Sequence, residues 1–136
     1  MIDPDCARVE IDLAAYTANL TTIAELVAPA AVMAVVKADA YGHGMLSCAR
    51  AARAAGVTWL GVATPGEALT LRDDGDRGLL LAWLFGPGED LSPAVASDID
   101  LGVSSQEELA RVVMAAGACE RTARVHLKVD TGLHRN

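Results

Sequence analysis

The chain has 136 residues, about half of them apolar, and a formal net charge of −7. This length suits one domain with a hydrophobic core, and the acidic balance argues against nucleic acid or an anionic membrane surface as a partner. No stretch is apolar for the ~18 residues that a membrane span needs, and the N-terminus lacks the basic and apolar regions of a signal peptide, so we expect a cytoplasmic protein.

Helical and strand-like patterns alternate along the chain. A helix is predicted from about Asp12 to Val27, where apolar residues recur on one side and Pro29 ends the pattern. The strands that follow are continuous apolar runs, typical of a parallel sheet buried on both faces. They are Ala31–Lys37, Thr58–Ala63, Gly78–Leu84, Ile99–Ser104 and Ala123–Asp130.

Helices with recognisable ends lie between these strands. Thr64 and Glu67 form a capping box, and Ser104 and Glu107 repeat its spacing. This βα repetition fits either an open doubly wound sheet or part of a (β/α)8 barrel, and the lack of G-x-G-x-x-G after the first strand weakens the dinucleotide-binding option. The last predicted strand has no helix after it, so we expect an incomplete domain.

The stretch AVVKADAYGHG, Ala34–Gly44, places Lys37 at the carboxyl end of the first strand, where ligands gather in both architectures. Alternation puts Met33 and Val35 on the same face as Lys37, and this apolar floor favours a neutral, nucleophilic amine suited to Schiff-base chemistry. Judged from its position alone, Lys37 would more often be an ordinary solvated lysine at the end of a strand than a reactive one. Tyr41 follows in a glycine-punctuated turn that can contact an anion.

The second lysine lies in HLKVDTGLHR. Alternation places His126, Lys128 and Asp130 on one face of the final strand, which indicates either a polar site or an ordinary salt-bridge patch. Arg135, after the following turn, adds a planar cation suited to a carboxylate or a phenolate. One barrel would place Lys37 and Lys128 around a common mouth.

Lysine is rare in this chain, which makes a specific role for each of the two lysines more plausible. Nine of the eleven basic residues are arginines, and the two lysines are Lys37 and Lys128. A codon bias toward arginine would account for this excess, and it would leave lysine mainly where a primary amine is needed. The cysteines are widely spaced and form no C-x-x-C pair, so we expect reduced packing residues and no metal site. They are Cys6, Cys48 and Cys119.

Two segments carry a family resemblance. AVVKADAYGHG resembles the pyridoxal-phosphate attachment motif of alanine racemases, and HLKVDTGLHRN resembles a second block of that family. TWLGVATPGEAL and LGVSSQEEL, between them, resemble its N-terminal barrel domain. The resemblance implies an α/β fold that is about the first half of a (β/α)8 TIM-type barrel. It identifies residues 1–136 as the N-terminal portion of that domain, with the rest of the barrel and a C-terminal β domain absent.

The resemblance also implies an activity. A full-length homodimer would use pyridoxal 5'-phosphate to interconvert L-alanine and D-alanine, which supplies D-alanine for cell-wall peptidoglycan. Lys37 would form the Schiff base with the cofactor and act as the base on the D-alanine side. Tyr41 would contact the cofactor phosphate, and Arg135 would lie near the phenolic oxygen and help bind the substrate carboxylate. Lys128 stands where family members often carry a carbamylated lysine that orients that arginine.

Length is the main departure from the family pattern. In family enzymes the portion after the position of Asn136 supplies the opposite catalytic base, a tyrosine from a partner subunit, so residues 1–136 alone are expected to be inactive. Two alternatives stay open: a non-catalytic pyridoxal-phosphate-binding homeostasis protein of the related barrel type, and an inactive truncated chain. The first needs Lys37 but not the Lys128–Arg135 block, whose presence argues against it.

Overall fold

The computed structural model describes residues 8–134, in which a five-stranded parallel sheet is flanked by helices. The strands are β1 (Met33–Val35), β2 (Trp59–Val62), β3 (Leu79–Ala82), β4 (Asp100–Val103) and β5 (Val125–Leu127). The helices are α1 (Leu13–Val27), α2 (Lys37–Gly42), α3 (Met45–Ala54), α4 (Pro65–Asp73), α5 (Ser92–Ala96) and α6 (Gln106–Ala118). Every predicted strand is present, and each is shorter than its apolar run.

The strand order decides between the two architectures that the sequence left open. The order is β1-β2-β3-β4-β5, and each neighbouring pair is parallel. A doubly wound sheet reverses its strand order at a switch point, whereas a (β/α)8 barrel places each strand beside the one before it. The described sheet is therefore five consecutive units of a barrel wall, and the prediction of a partial barrel is confirmed.

One face of the sheet forms the core against the helices. Alternate residues along the first four strands are only 0–5 % exposed, as the period of two along a strand requires. Burying a valine or leucine side chain stabilises the fold by about 1.5–3 kcal/mol relative to leaving it in water. These residues are Ala34, Val36, Leu60, Val62, Leu80, Ala82, Leu101 and Val103.

The opposite face of the sheet is crowded around Trp83. A Cβ added to Gly61 would lie 2.9 Å from Trp83 Cζ3, and one added to Gly102 would lie 2.8 Å from Trp83 Cβ. Real Cβ contacts are not this short, so the two strands beside β3 need glycine where the indole passes. The same Gly102 position lies 3.6 Å from Lys128 Cδ, which places the stem of that lysine on this inner face.

Strand β5 differs from the other four. Its outer residues Val125 and Leu127 are 42 % and 75 % exposed, and Val129 beyond it is 70 % exposed. The prediction that all five strands are buried on both faces is therefore wrong for β5, because no described helix covers that side of it. It is also wrong at Val35 in β1 and at Leu79 at the start of β3, which are 45 % and 40 % exposed. The alternation itself is as predicted, since His126 and Lys128 on the other face are half-buried.

Two helix ends show how each strand leads into the next helix. Thr64 caps α4 with the complete capping box, as predicted, because its hydroxyl accepts from Glu67 N while the Glu67 carboxylate accepts from Thr64 N. The predicted cap of α6 by Ser104 and Glu107 is wrong. Ser105 accepts from Glu108 N at 3.1 Å, whereas Ser104 donates its own N–H and O–H to the Glu108 carboxylate.

No helix within residues 8–134 has both the length and the apolar character to cross a bilayer.

Candidate active site

Lys37 lies just past the carboxyl end of β1 and is half-buried. Its Nζ is 5.4 Å from the centroid of the Tyr41 ring, which is within the range of a cation–π contact. Tyr41 is itself 68 % exposed, so this amine and phenol share one open site. The structure thus brings together two of the residues that the sequence singled out.

The segment that joins them is α2, in which the backbone forms a left-handed turn instead of a right-handed α-helix. Ala38, Asp39, Ala40 and Tyr41 all have φ between 51° and 54°, with ψ between 39° and 50°. For residues with a Cβ this conformation costs roughly 1–2 kcal/mol each, and it is seen as a rule in single residues. A whole turn of it persists only where surrounding contacts determine it, and such segments cluster at functional sites. Sequence reasoning missed this turn, because none of the four residues is glycine.

Side-chain contacts hold the turn at three points. The Glu67 carboxylate accepts from Ala38 N at 2.7 Å, and the Asp39 carboxylate accepts from Met45 N, also at 2.7 Å, at the start of α3. The Nδ1 of His43 donates to Ala40 O at 2.7 Å. The first of these contacts comes from a neighbouring βα unit, and the other two lie within residues 39–45.

Lys128 occupies the same edge of the sheet, two strands beyond β3. Its Nζ donates to the backbone carbonyl of Trp83 at 3.1 Å, and its backbone N–H donates to Val103 O at 2.7 Å. Burial alone would raise the pKa of Glu108, but hydrogen bonds from Ser104 and the charge of Lys128 hold that pKa below its usual value. Lys128 therefore lies in a polar environment shared with the carboxyl ends of β3 and β4.

The two lysines are on the same edge but on different strands. Lys37 follows β1 and Lys128 follows β5, so β2, β3 and β4 lie between them. The carboxyl ends of parallel strands meet at one edge of a sheet, and in a barrel that edge is the mouth where active sites form. Arg135, the fourth predicted site residue, lies outside the described residues.

His126 belongs to a different cluster from Lys128. Its Nε2 lies 3.1 Å from Asp100 Oδ2, and its ring meets Trp59 edge-on with centroids 5.3 Å apart. Asp100 is only 2 % exposed and also accepts from Arg124 Nε at 2.7 Å. Of the two interpretations left open for this face, the salt-bridge patch fits His126 and the polar site fits Lys128.

Arginines form a belt at the amino ends of the strands, which we define as Arg53, Arg72 and Arg124. Arg53 donates to the carbonyls of Val57 and Leu79, and Arg72 donates to those of Ser97 and Asp98. A guanidinium carries several donors in a fixed fork, so one side chain can satisfy several backbone acceptors near the amino ends of the strands.

Buried charge pairs hold this arginine belt in place. Asp76 pairs with Arg53 at 2.6 Å and with Arg72 at 2.8 Å. Burial lowers the pKa of Arg72 and the nearby Asp76 carboxylate opposes that change. Clefts of about 370 Å³ and 340 Å³ open beside the belt. The belt's arginines are already paired, and they lie at the end of the barrel opposite to the one where active sites form, so we assign the belt a structural role.

Residues 8–134 contain no group of three or more His, Cys, Asp or Glu side chains placed to hold a metal ion. Cys48 is a free, buried thiol, and Cys119 is free and half-buried. Burial, together with the nearby Asp39, raises the pKa of Cys48 and keeps it protonated, which fits a packing role. Cys6 lies outside the described residues.

The fold and the site define a class of protein: a barrel of consecutive β/α units with a candidate nucleophilic lysine beyond the carboxyl end of its first sheet strand. Within that class, the chain belongs to the family described as alanine racemase, N-terminal domain, whose sequence profile matches residues 11–136. The family resemblance noted in the two lysine segments is thereby confirmed.

Named relatives and solved structures agree with this family. An alanine racemase of Mycolicibacterium smegmatis is 54 % identical over 130 residues, which are 96 % of this chain and 33 % of the relative. The alanine racemase of D-cycloserine-producing Streptomyces lavendulae matches with a TM-score of 0.90 and 51 % identity, over 93 % of this chain and 33 % of that one. A histidine racemase from Leuconostoc mesenteroides matches with a TM-score of 0.82 and 34 % identity, over 92 % of this chain and 34 % of that one. The chain therefore spans about a third of the length of these relatives.

Proposed function

We propose that this chain is the cofactor-bearing part of an alanine racemase, a pyridoxal-phosphate-dependent isomerase that interconverts L-alanine and D-alanine for peptidoglycan. The observation that carries the proposal is the half-buried amine of Lys37, held beside Tyr41 on a left-handed turn at the mouth of the barrel. The 54 % identity with a named alanine racemase supports it.

The residues at this site fit pyridoxal 5'-phosphate. An aldehyde cofactor needs a primary amine, and Lys37 supplies one whose described contact is the ring of Tyr41. The phenol of Tyr41 is exposed and able to donate to a phosphate oxygen. Lys37 would hold the aldehyde carbon and Tyr41 the phosphate. When bound, the cofactor withdraws electrons from the α-carbon of an amino acid and so acidifies its α-proton.

The chain's own residues would then position the substrate and move the proton. Lys37 Nζ would be the base that takes and returns the α-proton on the D-alanine side. Arg135 would help to bind the substrate carboxylate and would interact with the phenolic oxygen of the cofactor. Lys128, whose Nζ donates to Trp83 O, would carry a carbamate, and the acquired negative charge would orient Arg135.

Racemisation also needs groups beyond this third of the relatives' length. We propose that a tyrosine from a partner subunit supplies the opposite base in a cytoplasmic full-length homodimer, and that residues 1–136 alone are inactive. The match to a histidine racemase makes substrate breadth part of the proposal, so both alanine and histidine belong in any assay.

Covalent labelling can test this proposal, because the chain has few primary amines that could react with the cofactor. Residues 1–136 are incubated with pyridoxal phosphate, reduced with borohydride, digested and mapped by mass spectrometry. The primary amines available are the N-terminus, Lys37 and Lys128. We expect the reduced adduct to concentrate on Lys37 and to disappear from that peptide in Lys37→Arg, which keeps the charge. An even distribution of the adduct over the three amines would contradict the proposal. Racemisation of alanine by residues 1–136, measured by chiral chromatography, would also contradict it.

A further inference from the structure

The Glu67 carboxylate links two βα units. Its Oε2 accepts from Ala63 N at 2.8 Å and from Thr64 N at 3.1 Å, which closes the capping box of α4. Its Oε1 accepts from Ala38 N at 2.7 Å. The nitrogen of Ala38 belongs to the peptide bond that joins it to Lys37, so one carboxylate ties the backbone next to the reactive lysine to the end of β2.

Comparison with a second glutamate, Glu108, shows that a helix cap does not require the contact between Glu67 and Ala38 N. Glu108 occupies the corresponding position at the start of α6, where its Oε2 accepts from both Ser104 N and Ser104 Oγ. Those contacts stay within the junction of β4 and α6. Glu67 makes the equivalent contacts to its own junction and adds one to a residue 29 positions earlier in the chain. The added contact is therefore specific to the lysine turn.

The contact between Glu67 and Ala38 N lies where it can fix the backbone next to Lys37. Ala38 is the first of the four left-handed residues, and hydrogen bonds to a carboxylate are among the stronger ones in proteins. The other side-chain anchors of the turn, Asp39 and His43, act within residues 39–45. Glu67 alone among these three anchors fixes the turn relative to β2. A reacting group must be held within about 0.5 Å of its productive position, and a supporting carboxylate can provide that.

We infer that Glu67 is a positioning residue, which fixes the peptide bond after Lys37 and thereby holds the Lys37 amine in the orientation that the cofactor aldehyde needs. This inference rests on the proposed function. Glu67 touches neither cofactor nor substrate in this role, and its effect passes through the backbone of Ala38.

Glu67→Gln tests the inference with little change in size. Glutamine keeps one acceptor oxygen but presents an NH₂ group where Glu67 has its second oxygen, so it cannot serve both Ala38 N and the Ala63–Thr64 junction. Thr64→Ala is the matched control. It removes the hydroxyl that accepts from Glu67 N at 3.2 Å, and so weakens the same helix cap without changing the contact to Ala38.

Borohydride mapping of the pyridoxal-phosphate adducts separates the outcomes. We expect Glu67→Gln to lose several-fold in the ratio of Lys37 to Lys128 adduct, whereas Thr64→Ala keeps the wild-type ratio. A wild-type ratio in Glu67→Gln overturns the inference and leaves the proposed function standing. An equal loss in both variants also overturns it, because a weakened cap would then be sufficient. Absence of any preference for Lys37 in the unmodified chain overturns the function and the inference together.

Hydrogen exchange at the Ala38 amide gives a second measurement that needs no variant. We expect this amide to exchange more slowly at neutral pH than an amide of an unstructured peptide, because its N–H donates to the Glu67 carboxylate at 2.7 Å. Exchange of the Ala38 amide at the rate of an unstructured peptide would overturn the inference even if Glu67→Gln fails to fold.

Discussion

The two ends of this parallel sheet are built with different cations. At the amino end, Arg53 and Arg72 share Asp76, and they donate to carbonyls at the start of β3 and before β4. At the carboxyl end, Lys37 and Lys128 present single, half-buried amines. A guanidinium stays charged and satisfies several acceptors at once, whereas a primary amine can become neutral and form a covalent bond. The type of cation therefore differs between the two ends: arginines stabilise the amino end of the sheet, and lysines suited to covalent chemistry lie at the carboxyl end.

Removing Asp76 should produce the largest change in stability. Asp76→Ala leaves the guanidiniums of Arg53 and Arg72, whose side chains are 21 % and 10 % exposed, without their shared carboxylate. We expect the free energy of unfolding to fall by about 3–5 kcal/mol, measured by urea denaturation. The adduct preference of folded molecules for Lys37 should not change, since the lysine is at the other end of the sheet.

Asp74→Ala is the matched control for this prediction. Asp74 pairs with Arg50, whose side chain is 65 % exposed, and an exposed pair contributes at most about 1 kcal/mol. Equal losses of stability in Asp74→Ala and Asp76→Ala would mean that burial does not distinguish the arginine belt from an ordinary surface pair. A changed labelling pattern in folded Asp76→Ala would mean that the two ends are not independent.

A smaller and pH-dependent effect is expected at the carboxyl end. The pKa of Glu108 is lowered in the folded chain, so its carboxylate stabilises the fold above its unfolded pKa, and that contribution is lost as the pH falls through the folded pKa. The stability difference between the unmodified chain and Glu108→Gln should be greatest near pH 7 and shrink below about pH 4.3. Urea denaturation at a series of pH values measures it.

Ser105→Ala provides the comparison for Glu108. It removes the hydroxyl that accepts from Glu108 N and therefore weakens the cap of α6, with no titrating group changed. Its stability difference should stay nearly constant over the same pH range. A Glu108→Gln difference that is equally constant would show that the charge of Glu108 contributes nothing to the folded state.

Much of this arrangement could be predicted because it depends on local pattern. Apolar runs located all five strands, and the Thr64 capping box located α4. The two lysines were predicted at one edge because parallel strands end together. The cap of α6 was misplaced by one residue, since the sequence SSQEE offers both the Ser104–Glu107 and the Ser105–Glu108 spacing. Only the contacts of Glu108 distinguish the two, since its backbone N–H donates to Ser105 Oγ and its carboxylate accepts from Ser104 N.

The rest depends on contacts between distant residues. Nothing in the sequence Ala38–Tyr41 favours a left-handed turn, and one contact that holds it comes from Glu67, 29 residues away. The arginine belt likewise joins residues more than twenty positions apart, such as Arg53 and Asp76. Alternation along β5 was predicted correctly, but alternation alone could not show that no described element covers Leu127.

The central claim is that Lys37, and not Lys128, holds the cofactor covalently. The most direct measurement is the visible absorbance of bound pyridoxal phosphate in the full-length protein that contains this chain, compared among the unmodified protein, Lys37→Ala and Lys128→Ala. We predict that Lys37→Ala abolishes both the absorbance and the borohydride-reducible adduct, while Lys128→Ala retains them. A reducible covalent adduct that survives in Lys37→Ala would contradict the assignment.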